Sequence, residues 1–288
     1  VHPAGEGADV GEEVGTCPVG AGAQPRGGVA TDGGGEAGAV TAEGVDLPVE
    51  PEGGGGVIHA VHPTNSPGGA HGPGRLGSVT VSLATTERAA LCDELDRSGP
   101  DRPTLCDGWT TRDLLAHLLV RERQPWAAPG IVVSALAPIT ERAMHGYADT
   151  PWQEMIDDLR EGPPAWSPYR VGKVDEFANG AEFFVHHEDV RRGEPGWEPR
   201  PPDGVRDEAL WTLLGRMGRL LFRRSPVGVV VRRGDGAVQV VRTGPGMVTL
   251  VGEPAELVLH AFGREACRVE LEGAAADLDG YRKSGRGL

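Results

Sequence analysis

Hydrophobic positions recur at helical spacing from Ser82 onward, and the pattern predicts six helices before it changes character. Leu83, Ala90, Leu91 and Leu95 mark the first, which Gly99-Pro100 stops. Thr110 opens the second as a cap, with Asp113 at the third helical position as in a capping box, and Leu114 to Leu119 form its apolar body. A third is expected over 130–147, interrupted near Pro138. Thr150-Pro151-Trp152-Gln153 reads as a capping threonine followed by proline at the first position, and that helix runs to Gly162. The fifth is expected over 175–192, ending at Gly193. The sixth covers 205–223, with Leu210, Leu213, Leu214, Met217, Leu220 and Leu221 as its stripe. Beyond Pro226 the period falls from 3.6 to 2. Strands are expected at 227–232, 238–242, 247–251 and 268–271, with one helix at 253–263. The pattern therefore predicts a mainly helical domain over 79–223 and a small α+β domain over 226–288.

Composition separates the first 78 residues from the rest. Of the 288 residues, this stretch holds 22 of the 45 glycines, 8 of the 24 prolines and no aromatic side chain. It carries 10 acidic and 2 basic side chains, so most of the net charge of −14 lies there. So little apolar surface cannot offset the entropy of ordering a chain, and 1–78 is expected to be a disordered extension. Arginine outnumbers lysine 26 to 2, and the first methionine is Met144. That bias suggests a GC-rich genome, in which a non-ATG start at Val79 or Val81 would make 1–78 a start-site artefact.

Several function classes drop out. No run of about 18 apolar residues is present, and no basic patch precedes an apolar stretch at the N-terminus. The four cysteines form no Cys-x-x-Cys pair and are too sparse for a disulfide scaffold, which makes a cytoplasmic protein the default. The acidic balance argues against a nucleic-acid footprint. The glycine runs at 33–35 and 53–56 lack the Lys-Ser/Thr ending of a phosphate loop. Oligomeric state leaves no mark in the sequence.

The candidate chemistry lies on the fifth helix, in Glu182-Phe183-Phe184-Val185-His186-His187-Glu188-Asp189. At 100° per residue, Glu182, His186 and Asp189 fall within an arc of about 60°. Apolar neighbours flank that polar stripe, so it faces an interior, where such groups need partners or a metal. His117, on the second helix beside Leu114 and Leu118, is the other inward-facing candidate. Two histidines and a carboxylate form a ligand set suited to Zn²⁺ or a similar divalent ion, with a fourth position open. Asp113, one turn before His117, either caps its helix or orients the imidazole. His187 points about 100° away from His186, too far round to share an ion. His145 and His260 lack partner spacing and are expected at the surface or boundary.

The string Leu105-Cys106-Asp107-Gly108-Trp109-Thr110-Thr111-Arg112-Asp113-Leu114-Leu115-Ala116-His117, with Glu182 to Arg192 downstream, resembles the mycothiol-dependent maleylpyruvate isomerase family, part of the DinB-like group found in actinobacteria. The resemblance implies an up-down four-helix bundle whose metal, usually zinc, is held at positions matching His117, Glu182 and His186. It implies mycothiol as co-substrate and a small electrophilic substrate, giving an isomerase or thiol transferase. It also implies that 226–280 is the small sterol-carrier-like α+β domain, which supplies an arginine for substrate carboxylates. Arg264, Arg268 and Arg282 are the candidates, and Asp189 is a candidate proton acceptor or orienter of His186. Two alternatives stay open: a non-catalytic metal-binding or regulatory protein, and a metal-dependent hydrolase.

Overall fold

The structure is a computed structural model, and it describes residues 82–128, 133–167, 170 and 179–287. The extension 1–78 lies outside the described residues, as do 175–178 of the fifth expected helix. All the described residues belong to one unit of the chain.

Helix α1 (Leu83–Ser98) starts where the Ser82 hydroxyl accepts from the Thr85 amide, and ends at Gly99, whose φ of +72° suits glycine. Helix α2 (Thr111–Arg123) opens on the expected capping box: Thr110 and Asp113 each satisfy the other's backbone amide. Of the third expected helix, 130–132 lie outside the described residues. A 3₁₀ turn at Ser134–Leu136 leads into α3 (Ala137–His145). Pro138 sits in its first turn, where a missing N–H costs nothing, so it opens the helix instead of interrupting it. Helix α4 (Trp152–Glu161) has Pro151 at its cap position and no side-chain cap, so Thr150 does not play the expected role.

Helix α5 (Gly180–Arg191) is buried on every side from Gly180 to Val190. A helix so placed is normally apolar all round. This one carries Glu182, His186, His187, Glu188 and Asp189, so each must find a partner inside the protein. It packs along α1, which also packs on α4, and α4 on α2. Leu91, Leu95, Leu114, Leu118, Met155 and Ile156 fill the space between them, with Phe183 from α5. Phe184 and Val185 point the other way, into a second core with Leu214, Val231, Leu250 and Tyr281. Adjacent residues of α5 thus serve two cores.

Helix α6 (Gly204–Leu221) is capped by Asp203. Its expected stripe holds except for Leu220, which is exposed. The strands β1 (Gly228–Arg232), β2 (Val238–Arg242), β3 (Met247–Val251) and β4 (Glu270–Gly273) form one sheet in the order β2-β1-β3-β4. β1 pairs antiparallel with β2 and parallel with β3, which pairs antiparallel with β4. Helix α7 (Pro254–Ala261) packs on α6, and α8 (Ala275–Arg282) packs on β3 and β4.

Three corrections fall here. The last strand begins two residues later than its pattern, because the Arg268 amide donates to Glu256 Oε2 at 2.7 Å instead of joining the ladder. Helix α8 had no clear periodic signal, since Leu278 and Tyr281 are its only large apolar residues and Gly280 interrupts it. Tertiary packing holds it: Tyr281 is fully buried, with its hydroxyl 2.9 Å from His260 Nε2. His260 is therefore buried, contrary to its expected surface or boundary placement, and burial pushes its pKa down to about 3.

Candidate metal centre

The loop from Thr104 to Trp109 joins α1 to α2 and is tied to the far end of α5. The Leu105 amide donates to the carbonyl of Asp189 at 3.0 Å. Gly193, just past α5, lies against the same loop. A Cβ there would run into the carbonyl oxygen of Pro103, so the close approach demands glycine. This tie brings Trp109 over His117, with ring centroids 5.1 Å apart at 52°.

His117, Glu182 and His186 meet as their spacing suggested. Glu182 Oε1 lies 3.4 Å from His117 Nε2 and 3.4 Å from His186 Nε2. One potential ligand atom from each residue fits within 4.8 Å of the others. All three are buried. Burial would raise the Glu182 pKa, but the Arg121 guanidinium and both imidazoles outweigh it and hold the carboxyl well below its usual range. Burial also pushes the His117 pKa down, which favours the neutral imidazole a metal needs.

Asp189 supports this group from behind. Burial opposes its charge, yet Arg264 and the hydrogen bond from His186 hold its pKa down to about 2. An ionised carboxylate only accepts, so His186 Nδ1, 2.9 Å from Asp189 Oδ2, is the donor. Burial opposes a charge on His186, but Asp189 and Glu182 outweigh it and hold its pKa up, with Nε2 facing Glu182. His186 Nε2 is buried and makes no hydrogen bond. A buried ring nitrogen with no hydrogen bond, facing a carboxylate oxygen and a second imidazole, fits a metal ligand. A second grouping, Cys106, His186 and Asp189, is equally compact, but Asp189 there is already committed to Arg264 and His186.

Of the three candidate arginines, Arg264 joins the site. Its Nε donates to Asp189 Oδ1 at 2.9 Å and its terminal nitrogen to Oδ2 at 2.6 Å. Arg268 does not. It is exposed, pairs with Glu198 at 2.5 Å, and lines a separate cavity of about 580 Å³ with Arg200, Arg206 and Cys267. Arg282 is exposed on α8. Asp113 is bound to Thr110, the capping role. His187 turns away to Glu87, 3.2 Å from its Nδ1, as its angle indicated.

One charged neighbour escaped the sequence reading. Arg121 Nε lies 3.7 Å from Glu182 Oε1, and its guanidinium donates to Asn179 Oδ1. The available signal was its position four residues after His117, hence on the same face of α2.

Residues 81–215 match the family model described as the mycothiol maleylpyruvate isomerase N-terminal domain. That stretch of the chain is similar to this family. The match spans α1 to α5 and ends inside α6. Two similar solved structures carry the titles of the mycothiol-dependent maleylpyruvate isomerase and of a single-site mutant of it. The first is 15% identical, covers 67% of this chain and 92% of its own, and superposes with a TM-score of 0.44. The second is 17% identical, with coverages of 65% and 90% and a TM-score of 0.37. No curated protein matches the chain. Among the described residues, no helix is long and apolar enough to cross a membrane.

Proposed function

We propose that His117, Glu182 and His186 bind a divalent cation, zinc, and that the protein is a cytoplasmic actinobacterial enzyme using mycothiol to isomerise or transfer to a small electrophilic substrate. On this reading 79–223 is a DinB-like four-helix bundle and 226–288 a sterol-carrier-like domain. No nucleic acid or membrane takes part. The observation that carries the metal assignment is the orphaned His186 Nε2. The family that residues 81–215 resemble supports the thiol.

The cation, when bound, supplies the charge that brings a thiol pKa into the neutral range. A thiolate sulfur adding to an activated double bond would form a C–S bond as the π bond breaks and its electron pair moves to the activating group; return of that pair with loss of the thiolate would give an isomerase, and protonation of the carbon with the sulfur retained a transferase. The chain's own residues prepare for this. Asp189 fixes the His186 tautomer, and its low pKa keeps it from serving as an acid near neutrality. Arg264, spent on both oxygens of Asp189, holds that carboxylate in place.

One observation favours the non-catalytic reading. None of the three ligand residues lines the 580 Å³ cavity. Metal analysis of wild type, His117→Ala and Glu182→Ala tests the site: equal metal in all three defeats it. Calorimetric titration of mycothiol into the zinc form then separates the readings. Binding, with thiol-dependent turnover in an electrophile screen, supports the enzyme. No binding at millimolar thiol leaves the regulatory protein or the hydrolase.

A further inference from the structure

Charge is spread unevenly along the chain. From residue 209 to residue 252 there is one acidic side chain, Asp235, against seven arginines. Two of the seven are paired: Arg232 with Glu272, and Arg233 with Glu208 and Asp235. Arg216, Arg219, Arg223 and Arg224 are exposed and form no ion pair among the described residues. At 100° per residue, Arg216, Arg219 and Arg223 fall within an arc of about 60° on α6 and just past its end. Leu220, 49% exposed, lies beside them, and the opposite face holds the buried Leu210, Leu214 and Leu221. Arg223 is held in place without being neutralised: its guanidinium donates to the carbonyls of Leu220 at 3.3 Å and Gly287 at 2.8 Å. Elsewhere exposed arginines meet acids, as Arg102 does with Glu194, Arg160 with Asp93 and Arg268 with Glu198. The needs of the helix do not account for the cluster. Cations in a last turn complement the macrodipole, but Arg216 stands before that turn, and like charges three and four residues apart oppose one another.

We propose that this face of α6 docks an acidic segment of a partner protein, whose carboxylates pair with Arg216, Arg219 and Arg223. The face lies beyond residue 215, where the match to the family model ends, and docking there is independent of the metal assignment. Carboxylates suit it because a guanidinium fork binds them in bidentate fashion. The three arginines span about 10 Å along the helix, the length of about four residues of extended chain, so a short run of glutamate or aspartate reaches all of them. A nucleic acid or an anionic membrane fits less well. Such an extended polyanion also meets the surface around the arginines, and the chain as a whole carries −14. Leu220 offers the segment one apolar contact amid the charges. Arg223, already fixed by two carbonyls, loses little freedom on binding.

The test follows the fluorescence anisotropy of a labelled hexaglutamate peptide as the full chain is added at low salt. Arg219→Glu is set against Arg142→Glu, which makes the same charge change at an exposed arginine of α3 that also forms no ion pair. Neither arginine has a partner to lose, so both variants are expected to fold as wild type does. Wild type is expected to bind the peptide, and less tightly as salt rises. Arg219→Glu is expected to bind it about fivefold more weakly, with Arg142→Glu within about twofold of wild type. No saturation at protein concentrations up to about 1 mM overturns the proposal. So does equal weakening by the two variants, which would make overall charge the cause. Tighter binding of a DNA duplex or of phosphatidylserine vesicles, lost in Arg219→Glu, overturns the choice of an acidic protein as partner. Zinc uptake is expected to be the same in wild type and both variants, so a failed metal assignment and a failed docking face are told apart.

Discussion

His186 and His187 are neighbours on one helix, equally buried, and they end in opposite situations. His186 is held from behind by Asp189 and leaves Nε2 without a hydrogen bond. His187 lies in a closed network. Its Nδ1 is 3.2 Å from Glu87 Oε2 and 3.2 Å from Arg200, which also binds Glu188 at 2.7 Å. Glu188 in turn binds Arg192 at 2.6 Å, and Arg192 reaches Glu256 on α7 at 2.6 Å. One face of α5 is held by these ion pairs, which tie the helices to the sheet region and leave one Arg200 nitrogen without a hydrogen bond. The other keeps an unused nitrogen. Burial alone therefore does not mark a functional histidine; the accounting of its hydrogen bonds does.

The comparison breaks most readily at the histidines themselves. His186→Ala is expected to lower metal affinity by well over the 10–100-fold that loss of a supporting hydrogen bond costs, while His187→Ala leaves metal binding within a few-fold. Metal retained by His186→Ala and lost by His187→Ala would reverse the assignment of the two faces.

Glu188 tests the ion-paired face. Glu188→Ala leaves Arg192 and Arg200 short of a buried partner and should cost about 3–5 kcal/mol in urea unfolding, with metal stoichiometry retained. Asp189→Asn sharpens the other face: it should weaken metal affinity by about 10–100-fold in a chelator competition.

Acid pH distinguishes the ion-paired face in another way. Burial works against the charges of Glu87 and Glu188. The cationic partners outweigh it and hold both pKa values below the ordinary carboxylate range. Their contribution to stability is thus complete above about pH 4.5 and is lost as the pH falls through the folded-state values. Unfolding free energy should decline between pH 5 and 3, and Glu188→Gln should decline less over that window; parallel curves would sink the idea.

The smallest effect concerns Asp113 and Thr110. Thr110→Ala should cost about 1 kcal/mol with metal affinity intact, as a helix cap would. A loss of metal would instead tie that turn to His117.

Much of this was legible in the chain. The capping box at Thr110 and Asp113, the bounds of β2 and β3, and the shared face of Glu182 and His186 are local matters, set by spacings of three, four or two residues. The missing parts are non-local. Helix α8 and the burial of His260 depend on Tyr281 filling a core built from distant segments. Arg121 stood in plain view at helical spacing, but its partner Glu182 is 61 positions away. The choice among Arg264, Arg268 and Arg282 was equally open, because nothing in a run of arginines says which one reaches a carboxylate 75 residues earlier.

The sequence by itself determined which residues share a face, because helical and strand periods are properties of the local backbone. It also marked out Glu182, His186 and Asp189 as a polar stripe that needed partners. Only the tertiary structure decided who those partners are. It set Arg264 on Asp189, closed the His187 face with Arg200 and Glu87, and left His186 Nε2 without a hydrogen bond. The reason is physical: the energy of a buried charge depends on what stands within a few ångströms, and those neighbours come from the far ends of the chain.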